Sequence, residues 1–524
     1  MSDPTDAPPA EPGTDLLAAV LQAGETYGPA PAITFGRHSL SYRELRGSIL
    51  RTAAALRLLG MQPGDRVLFS IRPGADATVL VLGIIAAGGS VVFADPGAGE
   101  ATFRARAQLA AARWVAAESV LYLASSAPLR RFARGRGLVL PPYARVVPDA
   151  RHLYSGPWLP GVPRGSVHVH TLSAPGTIPP EFEPGDPTAE ALVIFTSGTT
   201  DDPKAVVHSR LSLGTGLGDF VRHTGILPGQ RVLTDQLMVG VPALIAGAHW
   251  VLPAVGTAPG AQPTNYLDLL PGADVLFAVP AAMDALLTLL ESHPERTPTI
   301  STVIIGGAPV LRPLLERVRA QLPGARITAI YGMTEMLPVA LADGDEKLAY
   351  TGEGDYVGQL ASTVHARIVD GELVVAGPGL MLGYLGKEPQ REVATGDLAR
   401  IEGDRLVLAG RSKDMFIRGE TNVYPGLYEP IIAGLPGVRE AALVGVPNAI
   451  GDDAIVLVLV PEEQYVRGAG DHPLIAAVRR ALPGLIDAAV LPDRILVEPE
   501  LPRSGRARKL DRAALAELVR ARLG

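Results

Sequence analysis

Apolar residues recur at three- and four-residue spacing over Leu16–Gly24 and Tyr42–Leu59, the period of one helix face, so both stretches are predicted to be helices. Asp65–Ser70 (DRVLFS) reads as a strand, Asp76–Ala87 as a helix and Ser90–Phe93 as another strand. Short β-rich runs keep alternating with helical stretches at Leu192–Thr196, Arg231–Thr234, Val275–Ala278, Thr302–Ile305 and Arg326–Ile330. Such alternation predicts an α/β architecture with substantial parallel sheet. Pro141–Pro187, rich in Pro, Gly, Arg and His, is expected to be irregular surface. After Gly358 the texture changes. His365–Val369, Gly371–Ala376 and Arg405–Ala409 look like short antiparallel strands with tight turns such as Asp370-Gly371. After Arg411 a small α+β module is expected, with helices near Tyr428–Gly434, His472–Leu482 and Asp511–Leu523 and strands at Ala441–Val446 and Ala454–Val460. No internal repeat is visible.

Two apolar runs, Ala77–Ala94 and Leu237–Leu252, are the best membrane candidates. Gly88-Gly89-Ser90 breaks the first, and Pro242 interrupts the second, which is short of the roughly 20 apolar residues a span needs. Buried helix–strand segments explain both better. Residues 1–15 are Pro-, Asp- and Ala-rich with neither a basic nor an apolar signal segment, so a disordered tail is expected. The 524 residues carry a formal net charge of −7 and no cysteine. Mild acidity without a basic stripe argues against a nucleic-acid partner. The missing thiols exclude a disulfide framework, a cysteine nucleophile and a thiolate metal site, and fit a cytoplasmic location. The chain has only five lysines: Lys204, Lys347, Lys387, Lys413 and Lys509. Where arginine is the default base, a retained lysine points to a need for a compact ammonium on a flexible stem.

The strongest chemical signal is Phe195-Thr196-Ser197-Gly198-Thr199-Thr200-Asp201-Asp202-Pro203-Lys204, directly after an apolar strand. Four hydroxyls, backbone N–H groups around Gly198 and the Lys204 ammonium form a set suited to phosphate oxygens. The order differs from the Gly-x4-Gly-Lys-Ser/Thr loop of common nucleotide-binding folds.

This loop resembles the phosphate-binding motif of the class I adenylate-forming enzymes, the superfamily of acyl-CoA synthetases, luciferases and nonribosomal adenylation domains; Asp201 stands where glycine is usual. The resemblance continues in order along the chain. Gly306-Gly307-Ala308-Pro309 is similar to the turn flanking adenine, and Tyr331-Gly332-Met333-Thr334-Glu335 to the next motif. The resemblance implies that Tyr331 stacks on adenine, Thr334 touches phosphate and Glu335 helps hold Mg²⁺. Gly371–Tyr384 (GELVVAGPGLMLGY) matches a β-rich segment, and Thr395-Gly396-Asp397 the ribose-binding motif, where a carboxylate accepts both hydroxyls. Gly410-Arg411-Ser412-Lys413-Asp414 matches the hinge, with Lys413 at the pivot. Leu501–Arg512 resembles the segment delivering a catalytic lysine, here Lys509. The implied fold is a large N-terminal AMP-binding domain over 16–410, with parallel sheets and a β-rich subdomain, and a small mobile α+β domain over 411–524.

The implied reaction is attack of a carboxylate on the α-phosphate of ATP, giving acyl-AMP and pyrophosphate, then acyl transfer to CoA. Lys509, Lys204, Glu335 and Thr334 would be catalytic. A fatty-acid-like substrate is expected, because no aspartate dedicated to an amino group precedes Tyr331. Three features depart from acyl-CoA synthetases. Arg508-Lys509 replaces Gly-Lys, Glu420 stands where a glycine lines the pantetheine tunnel, and Leu237 stands about where a histidine is common. Asp95-Pro96-Gly97-Ala98-Gly99 and Thr334–Val339 (TEMLPV) resemble the olefin β-lactone synthetase branch, in which the substrate's own hydroxyl closes a ring without CoA. Thioester formation, β-lactone closure, loading of a carrier protein and a non-catalytic nucleotide-binding role therefore all stand as readings of the sequence.

Overall fold

The first two predicted helices form, over Leu16–Tyr27 and Tyr42–Leu58. Each has the start its sequence supplies. The Asp15 carboxylate accepts from Leu17 N at 2.9 Å. Ser41 and Glu44 make a reciprocal capping box. Both pack on a third helix, Ala75–Ala87, in which only Asp76 is exposed. A helix apolar on every side belongs in the interior. It ends at Gly88 in the left-handed region (φ 94°) and turns into the strand Ser90–Phe93. The second apolar run likewise divides into the helix Leu237–Ile245 and the strand His249–Leu252. Gly240 is needed here, because a Cβ would run into the buried Trp250 ring. Among the described residues no helix is long and apolar enough to cross a membrane.

The computed structural model describes residues 13–94, 100–126, 129, 141–147, 149–174, 176, 185–195, 204–254, 262–411, 414, 416–418, 421–423, 425–447, 453–462, 473–483, 485–486, 490–504 and 508–523. Most of the expected N-terminal tail lies outside them.

Among the described residues, two large sheets form the bulk of the protein. One has 13 strands. Its parallel part runs Pro31–Phe35, His249–Leu252, Arg231–Leu233, Val275–Ala278, Thr302–Gly306 and Arg326–Met333. It continues antiparallel through Met336–Asp343, Asp355–Leu360, Arg405–Arg411, Glu392–Glu402, Glu372–Ala376 and His365–Val369. This is the expected change of texture beyond Gly358. The second sheet has eight strands and a parallel centre of Glu190–Phe195, Ser90–Phe93, Arg66–Ser70 and Trp114–Glu118. Ala205–Ser209 and then Gly383–Tyr384 extend it antiparallel at one edge. Helices Ala75–Ala87, Arg210–Thr224 and Leu237–Ile245 contribute to one continuous core with strands of both sheets. Toward the C-terminus, Val438–Pro447, Asp453–Pro461 and Arg494–Val497 form a small sheet. The helix Pro473–Ala481 contributes to one of its apolar clusters and Arg512–Leu523 to the other. The fold is therefore α/β, with a large N-terminal part of parallel sheets and a small C-terminal α+β part.

One expectation needs correction. Pro141–Pro187 is not wholly irregular: Arg151–Ser155 and Val167–His168 add two parallel strands to the eight-stranded sheet, and Val169–Leu172 is a short helix. The strand is anchored by buried Leu153 and by Arg151, whose guanidinium lies 5.4 Å over the Trp114 ring. Its flanking Arg and His residues disguise the apolar signal.

Candidate active site

Strands Thr302–Gly306 and Arg326–Met333 run parallel with Gly306 opposite Ile330. This register brings Gly307-Ala308-Pro309 to the sheet end reached by Tyr331, Gly332 and Met333. Gly307 takes φ 86°, a conformation a side chain would strain. Ligands of open α/β sheets bind outside such carboxyl ends. Arg326–Met333 then folds straight back on Met336–Asp343, with Met333 opposite Met336, so Thr334 and Glu335 form the turn of a hairpin.

The other sheet grips this turn. Strands Glu190–Phe195 and Ala205–Ser209 are antiparallel neighbours with Phe195 opposite Ala205, so Lys204 sits at the mouth of the connection between them. Thr196, Ser197, Gly198, Thr199 and Thr200 lie outside the described residues. Tyr384 pairs with Val206, and its hydroxyl donates to Glu335 Oε1 at 2.8 Å. The Lys204 ammonium stands 5.4 Å from the centre of the Tyr384 ring. Met381 N donates to the Glu335 carbonyl at 2.8 Å. From beneath, His208 Nε2 lies 2.7 Å from the Thr334 carbonyl, and its Nδ1 lies 3.1 Å from Ser212 Oγ. A carbonyl only accepts, so Nε2 carries the hydrogen and Nδ1 accepts from the serine.

The third component comes from the antiparallel part of the 13-stranded sheet. Asp397 is buried on Glu392–Glu402, opposite Arg411. Its Oδ2 accepts from the Tyr331 hydroxyl at 2.6 Å. Gly396, at φ 76°, gives its N–H to Glu372 Oε1 at 2.6 Å, which fixes the Thr395-Gly396-Asp397 bend. Two tyrosines thus each hold one carboxylate: Tyr331 holds Asp397, and Tyr384 holds Glu335. Because the Tyr331 hydroxyl is engaged, what that residue can offer a ligand is its ring face.

A family model of the AMP-binding enzymes matches residues 21–385, and that of the AMP-binding enzyme C-terminal domain matches 428–508. The chain belongs to the AMP-binding enzyme family. It is an AMP-forming ligase of the class I adenylate-forming superfamily, as the resemblance implied. The chain is 27% identical to the fatty acid–[acyl-carrier-protein] ligase MmaC of Mycobacterium marinum over 92% of its own length and 94% of that protein. It is 27% identical to a feruloyl-CoA synthase of an Amycolatopsis species, over 91% and 93%. Among solved structures, the amide bond synthetase McbA from Marinactinospora thermotolerans superposes with TM-score 0.78 at 22% identity, covering 96% of this chain and 99% of that one. ATP-bound MatB from Rhodopseudomonas palustris gives TM-score 0.77 at 23% identity, with 98% and 100% covered. At these identities the two structures establish the fold.

In this AMP-binding enzyme the crevice outside these strand ends is flanked by the Tyr331–Asp397 pair and by Lys204 and Glu335, joined through Tyr384; Gly307, Ala308, Pro309, Gly332, Met333 and Thr334 lie on the same strand ends and turn, and the Arg411 backbone is opposite Asp397. Lys509 is exposed, opposite Ser504 in the hairpin of Arg503–Ser504 and Lys509–Leu510. The N-cap of the last helix is Asp511, whose carboxylate accepts from Ala514 N at 3.0 Å. Lys413, Glu420 and Asp95–Gly99 lie outside the described residues. Two residues were missed in the sequence, Tyr384 and His208. Tyr384 closes the GELVVAGPGLMLGY segment, and His208 lies four positions after Lys204, but no local spacing signals that either meets the Thr334–Glu335 turn.

Burial lowers the His208 imidazole, against the opposing pull of the Thr334 carbonyl and Glu335. Burial also pushes His152 down to about 4 and lowers His249. Below the ordinary value of 6.5 the unfolded chain takes up these protons and the folded chain does not. The stability these groups allow is whole above pH 6.5 and is lost as pH falls below it, for His152 down to about 4. The loss is at most about 1.4 kcal/mol per pH unit for each group. Melting temperature should therefore decline across that window. His208→Gln, whose amide can still donate to the Thr334 carbonyl, should flatten the decline. An unchanged slope in the variant would mean that His208 protonates within the fold.

Proposed function

We propose that this enzyme activates a fatty-acid-like carboxylic acid with ATP, releasing pyrophosphate, and passes the acyl group to the thiol of CoA. The observation that carries the reading is that Tyr384 joins Lys204 of one sheet to Glu335 of the other, beside the Tyr331–Asp397 pair on the strand leading into the Glu335 turn. In the first step a carboxylate oxygen bonds to the α-phosphorus and the bond to pyrophosphate breaks. In the second, the thiol sulfur bonds to the acyl carbon, AMP departs and one proton is released. Both reactants of the first step are anions, so alignment and charge compensation dominate the barrier.

The chain's groups divide that work. Asp397 accepts the ribose hydroxyls, the Tyr331 face supports adenine, and Gly307-Ala308-Pro309 shape its edge. Lys204 and the Thr196–Thr200 loop receive the β- and γ-phosphates, with Thr334 beside the α-phosphate. Residues 411–524 act as a mobile domain that turns about Lys413 against the 16–410 body and brings Lys509 to the crevice. Glu335 Oε2 carries no hydrogen bond among the described residues, and with the Thr334 hydroxyl it offers hard oxygen donors suited to Mg²⁺. Mg²⁺ beside a nucleotide is usually held by one or two carboxylates together with the substrate's phosphates. Mg²⁺ would supply charge neutralisation at the phosphates.

Acid-dependent exchange of labelled pyrophosphate into ATP tests the first step, with a panel of plain and 3-hydroxy fatty acids. No exchange with any acid overturns it. Weighing the products with and without CoA tests the second. The expected product is a CoA thioester. A CoA-independent product lighter than its 3-hydroxy acid by one water would replace the thioester with β-lactone closure.

A further inference from the structure

Tyr384 has no part in the scheme above, yet the fold fixes it with unusual care. Its two-residue strand is hydrogen-bonded on both sides of the residue, Leu382 N to Val207 O and Leu385 N to Ala205 O, each at 2.8 Å. Gly383 takes φ 152°, and a Cβ there would stand 3.1 Å from the Glu388 carbonyl. Lys387 N returns to the Tyr384 carbonyl at 2.9 Å. The ring is thereby held at the edge of the eight-stranded sheet, facing a turn that belongs to the 13-stranded one. Its hydroxyl reaches Glu335 Oε1, and Lys204 stands over its face. Lys204 and Glu335 lie on different sheets, and Tyr384 contacts both.

We propose that Tyr384 is a positioning residue that sets the Glu335 carboxylate and the Lys204 ammonium at a fixed spacing across the crevice. The idea rests on the phosphate and cation roles assigned above to those two residues. A carboxylate on a two-residue turn can rotate freely unless something holds it. A phenol donating to Oε1 orders that oxygen and aims Oε2 at the crevice. The lysine has a long flexible stem, and an ammonium within about 6 Å of a ring centre is attracted to its face. One side chain therefore removes freedom from both charges before nucleotide arrives, which is the work of preorganisation. A tyrosine that merely fills the sheet edge would need its ring and not its hydroxyl, and the two roles separate on that point.

The test reads binding rather than turnover. Affinity for α,β-methylene-ATP is measured by calorimetry with Mg²⁺ and again with a chelator, and the ratio is the gain due to the cation. Tyr384→Phe keeps the ring. It should leave the metal-free affinity and the melting temperature near those of the wild type and cut the cation-dependent gain about tenfold, as loss of a charge-assisted hydrogen bond allows. Tyr384→Leu should also weaken metal-free binding about two- to fivefold, as loss of an exposed cation–π contact allows. Glu335→Gln should abolish most of the gain, and adding Tyr384→Phe to it should change nothing further. A full gain in Glu335→Gln would overturn the cation role of Glu335. A reduced gain there with a full gain in Tyr384→Phe would overturn the Tyr384 proposal alone. Equal loss with and without Mg²⁺, or loss of the fold, in Tyr384→Phe would also overturn it, because the hydroxyl would then be supporting the site as a whole.

Discussion

Replacing Lys509 by alanine should slow acyl-adenylate formation by about 100- to 1,000-fold, the usual cost of removing one aligned donor from a developing charge. Use of chemically supplied acyl-AMP should suffer far less, because that step no longer brings two anions together. Delivery of Lys509 would use the contacts of its own segment. Three positions after Lys509, Arg512 bonds to both oxygens of Glu429 at 3.0 and 2.7 Å and pairs with Asp414 at 3.0 Å. Asp414 directly follows Lys413. The segment bearing Lys509 is thus fastened to the chain immediately beyond the proposed pivot, so a rotation at Lys413 carries both as one piece. Measured pyrophosphate release close to the wild-type rate in Lys509→Ala would refute the assignment and shift it to Arg506 or to Arg508, whose backbone takes φ 46°.

The parts of this site that lie close together in sequence could be read from it, because their chemistry is local. A strand followed by hydroxyls and a lysine, or a Gly-Gly-Ala-Pro turn, announces itself by composition. The pairings between those parts could not. Tyr331 and Asp397 are 66 positions apart, and Glu335 and Tyr384 are 49 apart. They meet only because two sheets abut and one strand pair bends at Gly396. The same limit explains smaller differences. The strand expected to end at Ile330 continues to Met333, since Met336–Asp343 folds back and supplies it with partners. Arg151–Ser155 was missed because only Leu153 of its five residues is fully buried, and Leu153 is flanked by His152 and Tyr154. Asp397 was recognisable from Thr-Gly-Asp, but its burial and its tyrosine partner were not.

That partner shapes the second large expected effect. Asp397→Ala should raise the KM for ATP steeply, since it removes two charge-assisted bonds to the ribose, each worth about 1.5–3 kcal/mol. It also strips the Tyr331 hydroxyl of its carboxylate acceptor, so the ring loses its anchor and the adenine platform loosens with it. The loss should therefore exceed what the ribose contacts alone would give. A chain-terminated nucleotide separates the two contributions. With 2′,3′-dideoxy-ATP the ribose bonds are already absent, yet Asp397→Ala should still weaken binding through Tyr331. Tyr331→Phe, which keeps the ring and removes only its tether, should reproduce that residual loss. Combined with Asp397→Ala it should add nothing, because both variants break the same bond. Equal use of ATP and dideoxy-ATP by the wild-type enzyme would remove the ribose role. Additive losses in the double variant would show that the platform and the carboxylate act independently.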